Sequence, residues 1–253
     1  MKLVAMLLVA LSVLSAAWME AQQAAPPASG NLQERLVPGM ARYTNEVLFG
    51  DVYNRTTELS ARDRTLVTIS VLIATGKPDQ LQTHLGRALS AGVQPREASG
   101  VLTHLAIYSG WPNAVSALAV YDQVYTTRKI DLTTLQASTP RLPAGADAAL
   151  PGASGAVAAR APKFAQLTDD VVFGDLWRRA DLAARDRSLA TIAALAATGE
   201  VDQLEFYVRR GLDAGVTHEQ ITETITQVGF YAGWGRATSA MQIVARVAPR
   251  NAR

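Results

Sequence analysis

Apolar residues recur at helical spacing through most of this chain, broken by glycine and proline at regular intervals. Leu66, Ile69 and Ile73 fall on one face of a helix that opens after Ser60 and is closed by Gly76. Ser60 followed by Asp63 resembles a capping box with Asp in place of Glu. Pro78 starts a second helix whose buried stripe is Leu81, Leu85, Ala88 and Leu89, closed by Gly92. A third begins near Pro95 with Val101, Leu102, Leu105 and Tyr108. It meets Gly110-Trp111-Pro112, where the proline must kink or break it, and helix resumes from Asn113 to about Tyr125. The same plan returns with helices near 185–198, 201–214, 218–232 and 236–247. No alternating strand pattern competes, so the fold class is all-α.

The return is a duplication. Residues 59–81 read LSARDRTLVTISVLIATGKPDQL and residues 182–204 read LAARDRSLATIAALAATGEVDQL, identical at 15 of 23 positions with an offset of 123. The expected organisation is a signal peptide over 1–24, a disordered tether over 25–31, a first helical domain over 32–132, an Ala/Pro/Gly-rich linker over 133–162 and a second helical domain over 163–253. The signal is read from Lys2, the apolar run Leu3 to Leu14 and a small-residue exit, which predicts a secreted or periplasmic protein. That run is shorter than the roughly 20 residues a bilayer span needs, so no membrane association is expected after cleavage, the alternative being an uncleaved membrane anchor.

Net charge is +2 over 253 residues, with basic and acidic residues interspersed, which argues against a nucleic-acid partner. The chain has no cysteine, so disulfides, thiolate nucleophiles and cysteine zinc sites are excluded together. Its three histidines carry no metal-ligand spacing, and neither phosphate-binding glycine loops nor a serine-hydrolase elbow occurs. No metal and no cofactor are expected; a bound flavin or haem has no support in the residues.

The order FGD, then ARDR(T/S)L, then DQL with HLxxALxxGV, then YxGWP resembles the carboxymuconolactone decarboxylase family, within the alkylhydroperoxidase D-like superfamily. The resemblance spans about residues 46–128 and 170–247. It implies two tandem alkylhydroperoxidase D-like helical domains and a homo-oligomeric ring, here a trimer of two-domain chains. The peroxidase branch carries Cys-x-x-Cys-x-x-x-His with a Glu in the preceding helix. Here those positions are Lys77, Gln80, His84 and Thr65, and in the second repeat Glu200, Gln203, Tyr207 and Ser188. Peroxidase chemistry of that type needs a thiolate and a resolving thiol, so it is excluded.

The decarboxylase branch implies a carboxy-lyase acting without cofactor on a small carboxylated lactone or similar acid. Such a site needs an anion anchor, stabilisation of the developing enolate and one acid/base. His84, at the family's His position, is the acid/base candidate. Its twin is Tyr207. His104, with twin Gln227, and Glu223, with twin Gly100, are candidates for a composite site, against a helix-surface reading. Arg64 and Arg187 suit a substrate carboxylate bidentately, while the surrounding Arg62-Asp63 and Arg185-Asp186 are explained by helix-start charge and pairing. Tyr108, Trp111, Tyr231 and Trp234 repeat as core aromatics or a substrate platform. The alternative function is a binding or structural oligomer that keeps the scaffold without catalysis.

Overall fold

A glycine in the left-handed region turns each corner between long helices, and the rest of the architecture follows from what those corners bring together. The computed structural model describes residues 31–136 and 155–247. The signal peptide at 1–24, all but Asn31 of the tether and the middle of the linker lie outside the described residues.

Of the described residues, those up to Asp51 form one compact unit and those from Val52 onward another. In the first, Asn31 and Glu34 cap a short helix, Leu32–Leu36, reciprocally; Pro38–Arg42 and a π-helical turn, Tyr43–Phe49, follow. Among its described residues the second unit holds eight long helices. The first repeat contributes α1 (Ala61–Ala74), α2 (Pro78–Ser90), α3 (Pro95–Tyr108) and α4 (Trp111–Thr127). The second contributes α5 (Ala184–Thr198), α6 (Val201–Asp213), α7 (His218–Ala232) and α8 (Trp234–Val247). No strand forms among the described residues, and no helix there is long and apolar enough to cross a membrane.

The Ser60 side chain accepts from the Asp63 amide at 3.1 Å and starts α1 as expected. The reciprocal half of the box is not made. The Asp63 carboxylate turns instead to Arg62 at 3.1 Å and Arg185 at 2.6 Å. The Leu66–Ile69–Ile73 face proves to be one side of a helix buried all round, from Asp63 to Ala74, and α5 is buried likewise from Asp186 to Ala197. These two helices pack against each other, and each is wrapped by helices of both repeats. Their buried hydroxyls are satisfied along the helix: Thr68 donates to the Arg64 carbonyl, Ser70 to Leu66 and Thr191 to Arg187.

The α3–α4 corner is a break, made by Gly110 at φ +88°, with Pro112 in the first turn of the new helix. Since Gly235 replaces Pro112, a softer second corner is expected from sequence. The structure shows the same break, because Gly233 at φ +107° makes it and the proline does not.

α3 and α7 each pack on both central helices, so each repeat lends its third helix to the other. The two tandem helical domains therefore share one hydrophobic core, from Leu59 through Val244. Across their junction Arg62 reaches Asp186 at 2.7 Å and Arg185 reaches Asp63 at 2.6 Å, a reciprocal pair that marks an internal two-fold relation. Arg62 also meets Glu97 at 2.8 Å.

Candidate functional site

The exchange of third helices builds two related clusters, each where the start of one repeat's central helix meets the third helix of the other repeat.

The first cluster is set by Arg64, which lies on the buried wall of α1 with no exposure. An isolated guanidinium there would be costly, and α7 supplies its partners. Arg64 donates to Glu223 at 3.0 Å, to Gln227 at 3.3 Å and to the Arg55 carbonyl at 3.1 Å. Arg55 also donates to Glu223, at 2.9 Å. Gln227 then donates to Thr68 at 3.0 Å, and the Tyr53 hydroxyl lies 3.3 Å from Thr68 and 2.8 Å from that of Tyr231. Tyr53 comes from the 3₁₀ turn Val52–Asn54 and Tyr231 from the last turn of α7.

His84, on α2, completes this cluster by presenting its ring edge-on to Tyr231, centroids 5.2 Å apart. It is only 8% exposed, and its Nδ1 is buried with no hydrogen-bond partner. Burial, assisted by the positive charge of Arg87, lowers its pKa from 6.5 to about 4, so the imidazole is neutral at pH 7. Burial and the neighbouring Tyr53 push the Tyr231 phenol well above its ordinary value, which keeps it protonated. The arrangement places a neutral imidazole with a bare nitrogen beside two phenols, with the charged groups paired behind them.

The second cluster has the same plan with different occupants. Arg187 is fully buried, donates to the Arg179 and Leu182 carbonyls and lies 3.5 Å from Asp181. Gly100 stands at the Glu223 position. A side chain there would meet Asp181 at 3.3 Å and Leu182 at 3.2 Å, so the counter-charge has moved from the third helix to a loop. His104 takes the place of Gln227, with Nε2 2.7 Å from the Thr191 hydroxyl. Thr191 spends its proton on the Arg187 carbonyl, so the pattern assigns the hydrogen to Nε2 of His104. Burial, then the charges of Arg187 and Arg210, hold His104 well below the ordinary histidine range.

Aromatic rings fill what remains. His104 stacks on Tyr108 at 4.7 Å and meets Trp177 edge-on at 5.1 Å. Trp177 stacks with Tyr207 at 5.7 Å, and Arg210 sits 4.0 Å above the indole. The polar tips pair internally: Trp177 Nε1 donates to the Tyr108 hydroxyl at 2.7 Å, which lies 2.7 Å from that of Tyr207.

Among the sequence candidates, the structure thus unites His84, Arg64, Glu223 and Tyr231 in one cluster and His104, Arg187, Tyr108 and Tyr207 in the other. It does not bring His104 and Glu223 together, because each third helix serves the opposite central helix. His104 is fully buried, so the helix-surface reading is corrected as well. Trp111 and Trp234 are 64% and 65% exposed at the starts of α4 and α8. Trp234 lines a groove of about 350 Å³ with Ile225, Ala237 and Met241. Among the described residues no three metal-binding side chains gather.

Sequence reasoning missed Tyr53, Trp177, Thr68 and Arg87, and Gln227 entered only as the twin of His104. Tyr53 and Trp177 are twins at an offset of 124, not 123, because one residue is missing between Trp177 and Leu182. The FGD at 49–51 and 173–175, also offset by 124, was the signal that aligns them.

The sequence model of the carboxymuconolactone decarboxylase family matches the chain twice, over residues 38–123 and 162–246. The chain is similar to 4-carboxymuconolactone decarboxylase of Acinetobacter baylyi, 33% identical over 84 residues, which are 33% of this chain and 63% of that protein. It is also similar to an uncharacterised 15.0 kDa protein of Paracoccus denitrificans, 36% identical over 77 residues, 30% of this chain and 58% of that protein. In both cases the chain spans less than two thirds of the relative's length, over a stretch the size of one repeat.

Proposed function

Because the chain belongs to the carboxymuconolactone decarboxylase family, we propose that it is a carboxy-lyase working without cofactor on a carboxylated unsaturated lactone or similar acid, with its working site at the first cluster. One observation carries this reading: of two clusters with one plan, only the first keeps an imidazole with a bare buried nitrogen at the His84/Tyr207 position.

The chemistry required is limited. Breaking the bond to the departing carboxylate releases carbon dioxide and sends the bonding pair through the conjugated double bond onto the lactone carbonyl oxygen. Phenols such as Tyr231 and Tyr53 stabilise that oxygen by hydrogen bonding. A proton taken up from solvent and carried by His84 then closes the new C–H bond, so one carboxylate and one proton become one carbon dioxide and one C–H. Arg64 has its charge met by Glu223 inside the protein. Its role here is to position α7.

The protein is further proposed to be exported by the segment at 1–24 and to assemble as a trimer of two-domain chains. Trp111, Val115 and Leu118, exposed along one side of α4, are an apolar face suited to burial between copies. Light scattering on the purified protein tests the trimer.

Turnover of 4-carboxymuconolactone, followed by carbon dioxide release, tests the activity, with His84→Ala alongside. Turnover that vanishes in a folded His84→Ala supports the reading. No turnover from a well-folded wild-type protein favours the second reading, a scaffold without catalysis. That reading has its own support in the second cluster, where an equivalent site is already filled by Trp177, Tyr207 and Tyr108.

A further inference from the structure

Arg55 and Arg179 are twins at the same offset of 124 that relates Tyr53 to Trp177, and each gives its backbone carbonyl to the buried arginine of its cluster. Their side chains then part. Arg179 turns back onto Asp181 of its own loop, at 2.9 Å and 2.6 Å, since Gly100 on α3 offers no carboxylate. That loop is fastened to the core by Trp177, 1% exposed, whose Nε1 reaches Tyr108. Tyr53 is only half-buried and gives its loop no such anchor. Arg55 instead crosses to the other repeat, where its Nε and Nη2 both lie 2.9 Å from one oxygen of Glu223 on α7.

Two cross-links therefore join the same loop to the same helix. Arg55–Glu223 and Tyr53–Tyr231 are two residues apart in the loop and eight apart on α7, about two turns. The ionic end is fixed from behind, because the second oxygen of Glu223 is held by buried Arg64 at 3.0 Å. The phenol end rests on neutral hydroxyl contacts at 2.8 Å and 3.3 Å, each of modest net worth. The ion pair thus sets the register of the loop on α7, and a hydrogen-bond donor for a developing oxyanion acts only if its place is kept. We propose that Arg55 is a positioning residue of the first cluster: by clamping the Val52–Asn54 turn to α7 through Glu223, it holds Tyr53 on Tyr231 and keeps the phenol pair in place beside His84. This rests on the first cluster being the working site.

The test uses the full chain and reads the loop and the reaction separately. By hydrogen-exchange mass spectrometry, Arg55→Met is expected to speed exchange of the amides at 53–58 about ten-fold while 177–181, the twin loop, keeps its rate. Arg55→Lys should fall between. The Arg55 side chain is 44% exposed, so raising salt from about 50 mM to about 500 mM should also loosen the first loop in the wild type, and not further in Arg55→Met. In turnover, Arg55→Met is expected to lower kcat about ten-fold with KM unchanged, and to cost nothing more when added to Tyr53→Phe, because the arginine acts through that phenol. Circular dichroism melts establish that the variants are folded. Unchanged exchange of the first loop, unchanged kcat in an active protein, or a loss that simply multiplies with that of Tyr53→Phe would overturn the proposal. Its fate is separable from that of the lyase reading. A first loop loosened by Arg55→Met in a protein without turnover upholds the clamp and sinks the lyase; turnover indifferent to Arg55→Met does the reverse.

Discussion

Tyr53 and Tyr231 are 178 positions apart in the chain, and their hydroxyls lie 2.8 Å from each other. One belongs to the turn that leads into the first repeat and the other to the third helix of the second, so neither repeat alone completes the cluster around His84. The second cluster repeats the relation between Trp177 and Tyr108 at 2.7 Å. Duplication followed by exchange of third helices has made the two repeats dependent on each other, while leaving each site free to diverge.

Removing one phenol should separate the two clusters functionally. Tyr231→Phe deletes the partner of Tyr53 beside His84 and is expected to lower kcat by about a hundred-fold, with about 1 kcal/mol lost in stability. Tyr108→Phe deletes the equivalent hydroxyl in the filled cluster and should cost similar stability with turnover unchanged. Steady-state kinetics and urea melts of the pair check this; equal loss of turnover in both would move the working site.

The depressed pKa of His84 makes a distinct kinetic demand. If its protonated form delivers the proton, only the fraction protonated is active, and that fraction falls about ten-fold per pH unit above a pKa of about 4. The rate should therefore climb as pH is lowered from 8 to 5, and His84→Ala should lose both the rate and the slope. A flat profile in the wild type would assign His84 a hydrogen-bonding role in place of proton delivery.

Much of this was legible in the sequence, and the exceptions share a cause. The helices, the Ser60 cap, the glycine corners and the family follow from local patterns and the repeat. The burial of α1 on every side does not, because Thr68 and Ser70 read as polar until their hydroxyls are seen to return to the helix carbonyls. Arg64 reads as a substrate clamp for the same reason: its partner Glu223 is 159 residues away and only the exchange of third helices brings it near. His84 was legible because it stands at the family's His position.

His104 occupies the place of Gln227, and each donates to a threonine hydroxyl on the central helix. Glutamine should therefore substitute for the imidazole. Above about pH 6.5 the histidine is neutral in folded and unfolded chains alike and adds no pH dependence. Below that, the unfolded chain takes up a proton that buried His104 refuses, so stability falls with pH by about 1.4 kcal/mol per unit until the lowered folded pKa is reached. His104→Gln is expected to lose a few degrees of Tm at pH 7.5, from the lost stacking on Tyr108, yet to lose less than the wild type between pH 7.5 and 5. Parallel melting curves over that range would disprove the assignment of a neutral, buried imidazole.

The two-fold relation finally permits the second site to be reopened. Trp177→Tyr with Tyr207→His gives the second cluster the Tyr53 and His84 of the first, on a framework where Arg187, Thr191 and Tyr108 already match Arg64, Thr68 and Tyr231. The stacked Trp177–Tyr207 pair and the hydroxyl contact with Tyr108 are lost, at a cost of about 2 kcal/mol. Arg210, released from the indole, would then stand to the new imidazole as Arg87 stands to His84. Made in a His84→Ala background, the double substitution is expected to restore measurable decarboxylation, well below wild type because Asp181, and not a glutamate at position 100, faces the buried arginine. Proton NMR should show a new histidine titrating below the ordinary range. Such a resonance without any turnover would mean that Glu223, through Arg64, contributes geometry that Asp181 does not reproduce, and adding Gly100→Glu with Asp181→Ala would then be the change that restores it.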